Sequence, residues 1–316
     1  MANAARFSAE RNARQAIVLV CEGEFIAIND PKLRDNIKET KMYGYLSKNI
    51  PNYPTPVEFH ITELTHVTNK TRLPGIWKSE GFKGLDQDSL SWWSLKINEA
   101  DIRAAEERFL ESSFPGRSEG EIAAQQPFLS EFTTSPAFIN ETSRYGNFRF
   151  TFPLTEVMEA YKKQMCEDEE PVLRVYKTTF FQQEIEYVVL VHSPQFNEKF
   201  SKYPLLTSSP LVSYEGNQII WRAQAICETH KCQLVINGNQ ASFQKLERKK
   251  QEFYVWDQLS LAFHVNGVLT FPKRKLKASL SCCEIDPNVN LSNGENCSSL
   301  DAAEQFLNSL PNYESE

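Results

Sequence analysis

What this chain of 316 residues lacks narrows it first. No stretch approaches the ~20 consecutive apolar residues of a membrane-spanning helix. The run Ala16-Ile17-Val18-Leu19-Val20-Cys21 is followed at once by Glu22 and Glu24. A Gly-x-x-x-x-Gly-Lys loop and a Gly-x-Gly-x-x-Gly turn are both missing, which sets aside phosphate-loop ATP chemistry and a Rossmann cofactor site. Internal repeats and long low-complexity tracts are absent too, so solenoids and fibrous arrays are excluded. Nor is there an excess of positive charge. With 34 Lys and Arg against 41 Asp and Glu the net charge is −7, and a surface built throughout to coat nucleic acid or an anionic membrane is ruled out.

What remains is a globular composition, 41% hydrophobic and 12% aromatic with 21 Phe, in a chain long enough for one large or two modest domains. Seven cysteines are an odd number in a chain too large to need staples, so reduced thiols are expected, and with them a cytosolic or nuclear protein. Nothing in the sequence fixes an oligomeric state.

Strand-like runs fall at 16–21, 24–28, 57–62, 90–97, 147–152, 172–180 and 184–192. Between them, 98–112 carries Ile102, Ala105 and Phe109 at helical spacing with acids on the other face, and 154–165 reads as a second helix. Beyond 210 the pattern is β-rich again, at 211–214, 218–226, 232–236, 252–255 and 259–265, with Asn237-Gly238 as a hairpin turn. These strands are expected to extend or flank the first sheet. Residues 286–316 hold six acids and no Lys or Arg, which predicts a mobile acidic tail with a short helix at 300–309. The division expected is therefore 1–200, a β-rich 201–285 and the tail 286–316.

The most informative stretch runs from Phe59 through His66-Val67-Thr68 to Leu73-Pro74-Gly75-Ile76 and Gly81-Phe82. It reads as a strand ending in polar groups, a helix and a glycine turn. In this order the residues resemble the ADP-ribosyltransferase superfamily in its poly-ADP-ribose-polymerase-like branch, whose first strand ends in His-x-Ser/Thr. A second match, Glu186-Tyr187-Val188-Val189, resembles the strand that delivers the family's catalytic glutamate. It stands 120 positions after His66. Between them the family has a strand whose Tyr stacks on nicotinamide, and this chain has Ser91-Trp92-Trp93-Ser94, which keeps a stacking face and lacks the phenolic hydroxyl. The resemblance covers residues 55–195.

It implies an α+β fold with a split, mainly antiparallel sheet and flanking helices, extended by the β-rich C-terminal region. It also implies NAD as substrate and no metal. His66 would bond an adenosine-side ribose hydroxyl, the Val67 backbone would grip the carboxamide and Thr68 would support the pocket. Trp92 or Trp93 would stack the nicotinamide, and Glu186 would hold the reacting ribose in an oxocarbenium-like transition state. The expected activity is transfer of ADP-ribose to a protein or nucleic-acid acceptor. The alternative is an inactive member of the fold that binds nucleic acid or a partner, as an innate-defence or scaffold module. Gln182-Gln183-Glu184 also touches the Gln-x-Glu motif of the arginine-modifying branch.

Read without the resemblance, the same residues have plainer roles. His66 would satisfy a buried turn, the Trp pair would be core, and Glu184 with Glu186 would form the solvated face of an edge strand.

Three other features stand outside this constellation. Cys227-Glu228-Thr229-His230-Lys231-Cys232 and Cys282-Cys283 offer soft ligands, yet their spacing fits no compact zinc knuckle. His192 and His264 fall on strand-like runs with no nucleophile signature beside them, which argues against a hydrolase. Residues 245–277 reverse the global charge: Lys245, Arg248, Lys249, Lys250, Lys273, Arg274, Lys275 and Lys277 face three acids, giving +5. At one end of a hairpin they would attract nucleic-acid phosphates, and as solvated turns they would do nothing.

Overall fold

A computed structural model of the chain describes residues 17–28, 30–36, 54–85, 87–133, 136–181, 184–224, 232–246, 256–286 and 295–310. The strands are β1 Ile17–Glu22, β2 Val57–Ile61, β3 Glu63–Thr68, β4 Gly81–Lys83, β5 Leu90–Lys96, β6 Thr142–Ser143, β7 Phe148–Pro153, β8 Val172–Phe181 and β9 Glu184–His192. They continue as β10 Val212–Glu215, β11 Gln218–Ala223, β12 Cys232–Asn237, β13 Gln240–Lys245, β14 Trp256–His264, β15 Val268–Thr270, β16 Leu280–Cys282 and β17 Glu284–Ile285. The α-helices are α1 Pro31–Asn36, α2 Leu73–Ser79, α3 Glu99–Ser113, α4 Glu119–Ala124, α5 Leu154–Met165, α6 Lys273–Ser279 and α7 Leu300–Asn308.

The organising element is an eight-stranded sheet in the order β1-β8-β9-β14-β5-β3-β7-β16. Its neighbours are antiparallel except for the parallel pair β9 and β14, so the architecture is α+β with a mainly antiparallel sheet. Runs of β-branched and aromatic residues between turn residues made the long strands legible, and at the start of α3, where the sequence places a helix, Asn98 and Asp101 form a capping box.

The sheet buries both faces. One face carries the larger core, with Trp93, Phe82, Phe150, Phe152 and Phe263 at its centre. The other carries a smaller cluster of Leu90, Tyr176, Val188, Leu190 and Ala262, closed by Phe200 and Tyr203. No helix among the described residues is long and apolar enough to cross a membrane.

Five expectations change. Residues 24–28 are not a strand: Gly23 turns the chain at φ 69°, the Ile26 amide donates to the Thr178 hydroxyl, and the Tyr187 hydroxyl donates to the Ile26 carbonyl. The backbone groups that a sheet ladder would satisfy are taken up by side chains instead. The hairpin turn falls one place later, on Gly238 and Asn239, because Asn237 still pairs with Gln240 and the positive φ sits at Gly238.

The strand carrying Glu184 and Glu186 is no solvated edge. β9 lies inside the sheet, and the two carboxylates are 2% and 5% exposed. Residues 295–310, expected to be mobile, are docked: Ala303 and Leu307 are buried, Phe306 meets Phe148 at 5.8 Å, and the Lys70 amide donates to the Glu295 carbonyl. Composition missed this because α7 presents apolar residues to β16 while its acids face water. The strand-like run at 252–255 lies outside the described residues.

The β-rich region after residue 210 neither simply extends nor flanks the sheet. β11 pairs with β2 in a separate three-stranded sheet, whereas β14 enters the centre of the large one, between β9 and β5.

Candidate functional site

The site begins where two strands part. β3 pairs with β5 from Glu63 to Thr65 only, while on its other side it stays paired with β7 as far as Thr68. Beyond Thr65 the gap on the β5 side is bridged by a side chain, since His66 Nδ1 lies 2.9 Å from the Trp92 carbonyl oxygen. A carbonyl only accepts, so Nδ1 carries the proton and Nε2 keeps its lone pair. The imidazole is wedged between Phe82 at 4.7 Å and Trp93 at 5.3 Å. Burial holds its pKa down at about 4, against the Trp92 hydrogen bond that favours the charged form. At neutral pH it is a fixed neutral acceptor.

The parting opens a cavity of about 270 Å³. His66, Val67, Thr68 and Asn69 form one wall, α2 and its flanks supply Arg72, Ile76 and Ser79, and Phe82, Lys83 and Leu85 close the third side. α2 is pinned there by apolar anchors, Leu73 and Trp77, and by Asn69, whose Oδ1 accepts from the Thr71 hydroxyl and the Arg72 amide. Gly81 must be glycine, because a Cβ would stand 2.2 Å from the Leu269 carbonyl oxygen in the adjacent β15. Among the described residues the lining contains no carboxylate.

Register decides which expected residues meet. Facing residues on neighbouring strands project to one side, and successive residues to opposite sides. Thr65 faces Ser94, Leu261 faces Trp93, and Gln258 faces Glu186. His66 and Trp93 therefore share one face, while Glu186, Gln258, Ser260 and Trp92 share the other. Glu186 is also three strands from His66, about 14 Å at ordinary strand spacing.

Its Oε1 accepts from the Ser260 hydroxyl at 2.9 Å. Beside it Glu184 pairs with Arg144 and accepts from the Gln258 amide at 3.0 Å. The structure thus gathers His66, Val67, Thr68 and Trp92 at the cavity and leaves Glu186 in a buried polar network behind the sheet. Trp93 is 1% exposed beneath His66 with Nε1 donating to the Ser91 hydroxyl, so it is core. The Trp92 ring packs on the smaller cluster with Lys177 Nζ 5.4 Å from its centre.

The sequence missed Arg72 and Asn69, although an amide and two cations, Lys70 and Arg72, in the four residues after His-x-Thr were a usable signal. For Arg144 there was none, as it reaches Glu184 across forty positions.

The remaining candidates fall elsewhere. Lys245 ends β13, which is held by Gln125, whose Nε2 donates to the Ala241 carbonyl. Lys273, Arg274 and Lys275 lie in α6, where Lys273 pairs with Glu80 and Lys275 with Glu156. Arg248, Lys249 and Lys250 lie outside the described residues, as do Cys227, His230, Gln182 and Gln183. No group of three or more His, Cys, Asp or Glu placed to hold a metal occurs among the described residues. Burial pushes the Cys166 and Cys282 thiols up to about 11, away from nucleophilic use. The string Gly116-Arg117-Ser118-Glu119-Gly120 matches a nucleophile elbow in letters only. Ser118 follows a helix rather than a strand, and its hydroxyl caps α4.

Acid tests the state of His66 directly. The folded state keeps the ring neutral while the unfolded chain takes a proton near pH 6.5, so its contribution is complete above 6.5 and is lost as pH falls toward 4. Unfolding at pH 5 is expected to cost up to about 2 kcal/mol less than at pH 7 on this account. His192 adds in the same direction, since burial lowers its pKa and Arg174 Nε donates to its Nε2 at 2.8 Å. Urea titrations of the wild type and His66→Gln check this, and equal pH slopes in the two proteins would remove His66 from the effect.

Compared with family models, with curated proteins and with solved structures, the chain finds no match.

Proposed function

We propose that this chain is a catalytically silent relative of the ADP-ribosyltransferases that binds NAD, or its ADP-ribose part, in the His66 cavity. One observation carries the reading: among the described residues that line the cavity with His66, Val67 and Thr68 there is no carboxylate, and Glu186 lies on the opposite face of the sheet from His66. Cleaving the bond between nicotinamide and ribose develops positive charge on the ribose, and a negative group must already stand beside it. Here the His66 ring is flanked on its own face by Phe82 and Trp93. Binding asks for less. A neutral acceptor at Nε2, the cation Arg72 and an apolar wall suit a ribose, a phosphate and a base.

Melting curves with NAD, ADP-ribose and nicotinamide, beside an assay with labelled NAD, test this. A ligand at a hundred times its Kd stabilises the fold by about 2.7 kcal/mol, which moves the melting temperature by several degrees. The expected result is a shift with NAD or ADP-ribose, lost in His66→Ala and kept in Glu186→Gln, with no labelled acceptor formed. Labelled product that disappears in Glu186→Gln would make the protein a transferase after all. No shift with any of the three ligands would end the binding reading.

A further inference from the structure

Among the described residues that line the cavity the cations are Arg72 and Lys83, and Arg72 is set into the wall on the strand-helix unit of His66. Its backbone amide is committed to Asn69 Oδ1, but its guanidinium makes no hydrogen bond or ion pair with any described residue. A guanidinium partly withdrawn from water, with five donors and no partner among the described residues, is a site for an anion with several acceptor oxygens. The nearest opposing charge is Glu295. Its backbone carbonyl accepts from the Lys70 amide and its Oε2 takes the Asn69 Nδ2 at 3.3 Å, so the docked C-terminal segment places a carboxylate within electrostatic reach of Arg72 without closing an ion pair.

The rest of the cavity fixes what the anion belongs to. His66 Nε2 accepts and cannot donate, which suits a hydroxyl. Ile76, Phe82 and Leu85 give an apolar wall, and Lys83 stands exposed at the rim. About 270 Å³ is near the lower limit of roughly 300–1,000 Å³ for pockets that enclose a drug-sized ligand, so the space fits one nucleotide and not a whole dinucleotide.

We infer that Arg72 is the phosphate-binding residue of a mononucleotide site in this cavity, and that Glu295 on the docked C-terminal segment competes with that phosphate for it. The inference rests on the nucleotide reading of the cavity and adds to it the ligand's charge requirement and a control built into the same chain. A ligand of ADP-ribose type would enter by its adenosine phosphate end and leave the remainder outside. The segment that carries Glu295 also carries α7, so occupation of the site and docking of residues 295–310 are coupled through one carboxylate.

Calorimetric titration of the full chain with adenosine, AMP, ADP and inorganic phosphate tests it, on the wild type and on Arg72→Gln, Arg72→Lys and Glu295→Gln. Charged hydrogen bonds to a phosphate lead us to expect AMP to bind at least about ten-fold more tightly than adenosine. Arg72→Gln should erase that difference while leaving adenosine unchanged, and Arg72→Lys should restore part of it. Removing a half-buried competing charge should tighten AMP about two- to five-fold in Glu295→Gln, and adenosine not at all.

Equal binding of AMP and adenosine by the wild type, or a phosphate preference that survives Arg72→Gln, overturns the role of Arg72. Inorganic phosphate binding as tightly as AMP overturns the nucleotide and leaves an anion site. AMP affinity unchanged in Glu295→Gln overturns the competition. Failure of every nucleoside and nucleotide to bind would bring down the ligand reading of the whole cavity, a result distinct from the others.

Discussion

Trp93→Ala will lower the free energy of unfolding by about 3–5 kcal/mol, the range for removing a fully buried large aromatic side chain. The ring is 1% exposed and touches His66, Phe82, Phe152 and Phe263 at centroid distances of 5.3, 4.8, 6.0 and 6.3 Å. Alanine would leave a void at the meeting point of β3, β4, β5, β7 and β14, and it would strand the Ser91 hydroxyl that now accepts from Nε1. Trp92→Ala, at a half-buried ring packed on the smaller cluster, should cost roughly 1–2 kcal/mol. Urea unfolding of the two variants measures the contrast. If Trp92→Ala proved the more damaging, the assignment of the core tryptophan would be reversed. Because Trp93 also supports the ring of His66, ligand affinity should fall in Trp93→Ala even under conditions where it remains folded.

Glu184→Ala is the second large effect, with a cost of about 3 kcal/mol or more, since removing one partner of a buried ion pair leaves the other charge uncompensated. Arg144 is largely buried, and its other acid, Asp286, is 4.0 Å away and only partly replaces Glu184. The Gln258 amide would lose its acceptor as well. Glu186→Gln should cost less than about 1 kcal/mol, because a glutamine oxygen still accepts from the Ser260 hydroxyl. Adding Arg144→Met to Glu184→Ala should recover part of the loss, as paired removal of buried charge does. Two glutamates with equal costs would mean that the ion pair carries no special weight. The contrast bears on function too: the glutamate singled out by resemblance is expected to matter little for stability, and its neighbour a great deal.

Much of this fold was legible because its signals are local. Runs of β-branched and aromatic residues bounded by turn residues gave strands at 57–61, 90–96 and 184–192, where strands occur, and the spacing of Ile102, Ala105 and Phe109 with acids on the other face gave the helix. The polar end of β3 was legible for the same reason, and His66, Val67 and Thr68 do line a cavity. Arg72 was within reach of the same reading, six places after His66 on the same strand-helix unit. Docking of residues 295–310 was not, because a helix that is acidic on one face and apolar on the other has the overall composition of a tail.

Sequence by itself determined most of the long strands and the two main helices, the reversal of charge along the chain and the polar strand end that holds His66. Only the tertiary structure decided who their neighbours are. β9 is buried throughout, so its pattern admits any strand on either side. The chain supplies β14, paired 72 positions downstream, between the strand of Glu186 and the strands of Trp93 and His66. That insertion lengthens the separation by one strand, and the register it imposes turns Glu186 to the opposite face. Side-chain parity along a strand is local, but parity between strands is set by pairing across long loops, and pairing is decided by which partners complete the core.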